Sequence, residues 1–148
     1  MSTHEASVLW ARTTPDFLYD TYDRSHTVRY ASGRTAEGSA APDYKGDATR
    51  LNPEEALVGA LSSCHMLTFL AICARKRLVV DRYECAAVGH LEKNADGRLA
   101  ITRIDLHPTV AFTPGSEVTA EALATIHESA HRNCFIAQTI RSAVAIVA

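Results

Sequence analysis

The sequence predicts an α+β fold with a mostly antiparallel sheet and one long, buried central helix. Three observations carry that expectation. Runs of alternating apolar and polar residues lie on both sides of a single long apolar segment, residues 53–77. That segment carries helix start and stop signals at its two ends. A second helical pattern is then followed by a short apolar run, so the order is strands, helix, strands, helix, strand.

Residues 7–31 read as strands, with Val8 and Trp10, Phe17 and Tyr19, and Val28 and Tyr30 as the alternating apolar positions. Ser32 to Arg50 is rich in Gly, Ala, Ser and Asp and reads as a surface loop with room for one short strand. The long helix begins next. Asn52 is a good N-cap, Pro53 suits the first helical position, and Glu54 and Glu55 place carboxylates where the helix dipole favours them. Arg75, Lys76 and Arg77 mark the far end. No formally charged residue lies between Ala56 and Ala74, a stretch long enough to cross a bilayer. Gly59, Ser62, Ser63, Cys64, His65 and Thr68 in its middle make a poor lipid-facing surface, so no membrane role is expected. A helix apolar all round in a soluble chain needs cover on every side. In a chain this small, part of that cover is expected from a second subunit.

Tyr83 to Glu92 and Leu99 to Phe112 read as two strands joined by a hairpin around Asn94-Ala95-Asp96-Gly97. The second strand changes phase, with Leu99 and Ile101 odd but Ile104, Leu106, Val110 and Phe112 even, which predicts a bulge between them. The second helix starts near Thr119 and runs to about His131, with Arg141 as its outer limit; Ser142 to Ala148 closes as a strand.

A chain of 148 residues fits a single domain, residues 1–148. With 47% apolar and 22% charged residues its composition is that of a globular protein. Fifteen basic against seventeen acidic side chains leave a net charge of −2, which gives no bulk field for nucleic acid or an anionic membrane. The first residues lack the basic and apolar regions of a secretory signal, so a cytoplasmic location is expected. Four cysteines, Cys64, Cys73, Cys85 and Cys134, are scattered without CxxC pairs. Cys73 lies nine residues after Cys64, on the opposite helix face, and both it and Cys85 read as core. Cys134 follows the polar run Glu128 to Asn133 where the second helix is set to break, a position that can activate a thiol. Spacing alone supports no more than a candidate redox pair.

The segment Asn52-Pro53-Glu54-Glu55-Ala56-Leu57, with a cysteine ten residues after Glu54, resembles the NPEE-L…C helix of the OsmC/Ohr proteins, the organic hydroperoxide resistance family. A second cysteine late in the next helical segment, before a short terminal strand, is similar to that family's second active-site cysteine. Phe135 stands where typical members have proline and His65 where an apolar residue is common, so the chain looks closest to the OsmC-like branch. The resemblance implies the OsmC-like fold, an intertwined homodimer, and a thiol peroxidase that needs no cofactor or metal. By that likeness Cys64 is the peroxidatic and Cys134 the resolving cysteine, Glu54 the acidic partner, and Arg24 the arginine, with Arg29 and Arg34 as near competitors. It also implies organic hydroperoxide as substrate and an external dithiol, of lipoyl type for instance, as reductant. The residue types suit the chemistry, because a thiolate attacks peroxide to give a sulfenic acid that a second thiol condenses to a disulfide. A guanidinium is needed to hold thiolate at neutral pH, and a carboxylate can fix that guanidinium.

Three competitors deserve statement. His127, His131 and Cys134 at i, i+4 and i+7, with His65 as a fourth ligand, could bind zinc on a continuous helix. A cysteine hydrolase would use His131 as base for Cys64, although no nucleophile elbow supports it. A small-ligand-binding protein of the same fold would carry a silent cysteine pair.

Overall fold

The computed structural model describes all 148 residues, which fall into two compact units, Met1–Ala56 and Leu57–Ala148. In the first unit three short strands, β1 (Ala6–Leu9), β2 (His26–Tyr30) and β3 (Thr35–Gly38), pair antiparallel in that order. The expected strand around Phe17 and Tyr19 is instead an irregular loop. Its polar side chains satisfy the backbone and one another locally: Thr14 Oγ1 donates to the Asp16 carbonyl at 2.6 Å and Thr21 Oγ1 to Asp16 Oδ1 at 2.7 Å. Such short-range bonds compete with strand pairing, and Pro15 adds to the turn.

The long helix α1 spans Pro53–Arg75 without a break. Its start is a reciprocal capping box, with Glu55 N–H donating to Asn52 Oδ1 at 2.8 Å and Asn52 N–H to Glu55 Oε2 at 3.3 Å. By length and composition α1 could cross a membrane. Its fully buried residues, Leu61, His65, Phe69 and Cys73, recur every fourth position, as on a core-facing helix stripe. The other faces of α1 are only partly covered within the chain, and Leu67 stands at 61% exposure.

In the second unit β4 (Val80–Lys93) and β5 (Leu99–Phe112) form the expected hairpin, and β6 (Ala143–Ile146) pairs with β5 in parallel. Gly97 takes a φ of +74° in the turn, where Asn94 Oδ1 accepts the N–H groups of Asp96 and Arg98. His90 pairs with Arg103 but Leu91 with Ile101, so Thr102 is the extra residue of the bulge the phase change predicted. Gly89 is required by close approach: a Cβ there would meet Val58 Cγ2 of α1 at 2.6 Å. Helix α2 (Ala120–Asn133) starts at Thr119, whose side chain accepts the Ala122 N–H, and stops at Cys134; the short α3 (Phe135–Thr139) follows. Two apolar clusters hold this unit, one around Leu61, Ile104, Leu106 and Cys134, the other around Phe69, Cys73, Ile126 and Ala130.

Candidate functional site

Cys134 is at once the C-cap of α2 and the N-cap of α3, with an extended backbone (φ −76°, ψ 115°). That conformation ends the first helix, and the thiol faces into the first apolar cluster, where it is fully buried. Its sulfur accepts the Ala137 N–H at 3.5 Å. Cys64, half-buried in the middle of α1, packs against the same cluster. The two thiols, seventy positions apart in sequence, are therefore neighbours. Burial first, and then a side-chain hydrogen bond with Cys64, push the Cys134 thiol above its ordinary pKa, so it stays protonated at neutral pH.

Cys73 lies in the other cluster, and burial raises its pKa as well. Cys85 also borders the cluster that holds Cys134, with its sulfur donating to the Ala86 carbonyl at 3.6 Å. Cys73 is the core position the sequence indicates, whereas Cys85 is only half-buried at the edge of its cluster.

Arg24 and Glu54 belong to the first unit. Arg24 taken alone reads as a solvated loop residue, yet it is only 9% exposed, while Arg29 and Arg34 lie open to solvent. Its guanidinium donates from Nη1 to the Tyr22 carbonyl at 2.7 Å and from Nη2 to the Tyr19 carbonyl, and it stacks 3.8 Å above the Tyr22 ring. No carboxylate of this unit pairs with it. Glu54, half-buried in the first turn of α1, makes no ion pair with Arg24, Arg29 or Arg34.

A buried histidine pair was not foreseen. His65 Nε2 and His127 Nδ1 lie 3.0 Å apart with their ring planes nearly parallel, and Phe69 stacks on His127 at 4.4 Å. Burial, together with the charges that His127 and His131 would carry, pushes His65 down to about 4; burial also lowers His127. The missed signal was the four-residue stripe Leu61-His65-Phe69-Cys73, which makes His65 a core residue. No group of three His, Cys, Asp or Glu side chains stands close enough to hold a metal ion, which corrects the zinc reading. The reason is local: the extended backbone at Cys134 breaks the continuous helix that put His127, His131 and Cys134 on one stripe, and His65 and His127 already engage each other. His131, the base of the hydrolase alternative, makes no side-chain hydrogen bond with Cys64, and its buried Nδ1 has no hydrogen-bond partner.

The family model for OsmC-like proteins matches residues 46–148. The chain belongs to the OsmC-like family. An OsmC-like protein of unknown function from Vibrio cholerae is 39% identical, with a TM-score of 0.94 and 99% of both chains covered. An organic hydroperoxide resistance protein from Legionella pneumophila shares the fold at 13% identity, with a TM-score of 0.73 over 99% of this chain and 94% of that one. The organic hydroperoxide resistance protein OhrB of Bacillus subtilis does so at 15% identity, with a TM-score of 0.68 over 98% and 95% of the two chains. Among curated proteins none matches this sequence. The α+β architecture of two sheets and three helices is thus that of OsmC-like proteins.

Proposed function

We propose that this OsmC-like protein is a thiol peroxidase that reduces organic hydroperoxides in the cytoplasm as an intertwined homodimer. The observation that carries the reading is the meeting of Cys64 and Cys134 in one apolar cluster. The Cys64 thiolate attacks the outer peroxide oxygen, the O–O bond breaks, and the departing alkoxide takes up a proton to leave as alcohol. Cys64 becomes a sulfenic acid. Cys134, held protonated beforehand, loses its proton as its sulfur attacks that of Cys64, and water leaves with formation of the disulfide. An external dithiol, a lipoyl-type one among the candidates, restores both thiols and is itself oxidised to a disulfide. The apolar surroundings of Cys64 favour an organic hydroperoxide over hydrogen peroxide. Arg24 serves the thiolate and Glu54 acts on an arginine; the unbroken run of α1 past Cys64 supports an arginine of the second subunit for that pairing. The names of the Legionella and Bacillus relatives, which refer to organic hydroperoxide resistance, point the same way.

One equivalent of cumene hydroperoxide is expected to remove two hydrogens from the protein, mapped by mass spectrometry to the Cys64 and Cys134 peptides. A bond mapped to Cys73 or Cys85 would sink the assignment. The homodimer is supported by exposed apolar side chains on α1 and in the first unit, Leu67 and Leu18 among them. An obligate interface buries on the order of 2,000 Å² or more. Sedimentation at micromolar concentration should give twice the chain mass of 16.1 kDa; a stable folded monomer refutes the dimer.

A further inference from the structure

In the first unit a cleft of about 400 Å³ is lined by Val8, Trp10, Phe17, Tyr22, Arg24 and His26, with almost wholly apolar walls. Its size is at the low end of small-molecule sites, which run from roughly 300 to 1,000 Å³, so it suits a ligand of one ring rather than a long chain. Three of its walls are aromatic and mutually packed: Trp10 to Phe17 at 5.7 Å, Phe17 to Tyr22 at 5.2 Å, and Trp10 to Tyr22 edge-on at 6.4 Å. The cluster is fixed rather than loose, because Trp10 Nε1 donates to the Asp23 carbonyl at 2.7 Å. Phe17 is nonetheless 65% exposed, an aromatic side chain left uncovered in the chain.

Arg24 sets the polarity of the cleft. It is a buried cation with two carbonyl acceptors and no carboxylate, and its remaining N–H donors have no acceptor within residues 1–56. A cationic ligand is repelled there, whereas an oxygen-bearing head completes the guanidinium's hydrogen bonding. Tilted aromatic walls reward a ring beyond its buried area, through edge-to-face and offset contacts that an alkyl chain cannot make.

We propose that this cleft binds one aromatic ring, with its oxygen-bearing head toward Arg24, and thereby selects aryl over small alkyl hydroperoxides. The selectivity rests on the peroxidase reading; the binding does not. Trp10, the chain's single tryptophan, lies in the wall and reports occupancy directly.

The test titrates the full chain with 2-phenyl-2-propanol, the alcohol left by cumene hydroperoxide, and follows Trp10 emission. A saturable change is expected, with none from tert-butanol, which has the same head and no ring. Phe17→Ala and Phe17→Leu should both weaken 2-phenyl-2-propanol binding by about two- to tenfold, since the ring is what each removes. Phe17→Leu keeps an apolar side chain, so a loss shared by both variants does not reflect unfolding. Both should also lower the ratio of cumene to tert-butyl hydroperoxide consumption. An unchanged emission, an equal response to tert-butanol, or unaltered binding in both variants overturns the proposal. Failure of the unmodified protein to form the Cys64–Cys134 disulfide with either peroxide overturns the peroxidase reading instead, and leaves the ring site to stand on the fluorescence.

Discussion

In residues 57–148 the buried side chains are Leu61, Phe69, Cys73, Ile104, Leu106, Pro108, Ile126, Ala130 and Cys134, joined by one histidine pair; in residues 1–56 they are Arg24, Ser39 and Asn52. The second unit is organised by apolar burial and the first by hydrogen bonds. Ser39 illustrates the first: its hydroxyl accepts the Asp47 N–H at 3.0 Å and its own N–H reaches the Leu51 carbonyl at 3.0 Å. Meanwhile Leu9, Leu18 and Tyr19 of that unit, outside the aromatic cleft, lie exposed. A region with polar groups inside and apolar groups outside inverts the usual arrangement, and it fits a segment whose apolar cover comes from another molecule.

The sharpest break of this contrast is Phe69→Ala. It empties the centre of the second cluster and should cost about 3–5 kcal/mol in denaturant unfolding, against about 0.5 kcal/mol or less for Leu18→Ala where Leu18 remains exposed. A larger Leu18→Ala effect that grows with protein concentration would show cover by a second copy.

The next effect concerns the histidine pair of the second unit. With folded-state pKa values below the free value of 6.5, His65 and His127 leave the unfolded chain binding more protons. Their neutral pairing is fully compatible with folding above about pH 6.5, and stability falls as pH drops toward 4, the His65 value. His65→Leu leaves a ring nitrogen of His127 buried without its partner, at a cost of about 1–3 kcal/mol at pH 7, and should flatten the acid-side slope of unfolding free energy against pH. An unaltered slope would remove the pair as the cause.

Smaller still, and on rate rather than stability, is the effect of the first unit's buried cation. Arg24→Met should slow peroxide-driven oxidation about tenfold near pH 7, equivalent to ~1.4 kcal/mol, with partial recovery at pH 9 where a cysteine ionises without help. Glu54→Gln should follow the same profile more mildly, because it frees a guanidinium without removing its charge. An Arg24→Met rate profile identical to that of the unmodified protein would move the role to Arg29 or Arg34.

What could be read in the sequence was local chemistry. Asn52, Pro53 and Glu55 determine where α1 begins through bonds spanning three residues, and the odd-to-even change between Ile101 and Ile104 located the bulge. The loop through Phe17 and Tyr19 was misread because alternation alone does not separate a strand from a segment held by Asp16 and its threonine neighbours. Arg24 gave no periodic signal of burial, since its partners are carbonyl oxygens of Tyr19 and Tyr22. The meeting of Cys64 with Cys134 is a tertiary fact that no spacing encodes, and only the family resemblance anticipated it.

Thr102 has a consequence for how this chain can change length. The turn at Asn94 to Gly97 sets the pairing from one end of β5, while Ile104 and Leu106 anchor the other half in the core. With Thr102 removed, His90 would still face Arg103 and Leu91 still face Ile101, and Ile101 and Ile104 would stand two positions apart on one face of a regular ladder, so that this deletion costs the bulge and its bend but not the register. An insertion in the hairpin tip likewise spares the register, because the added residue stays outside the ladder. These are the two places where β4 and β5 can change length by one residue without turning the core side of the strand toward solvent.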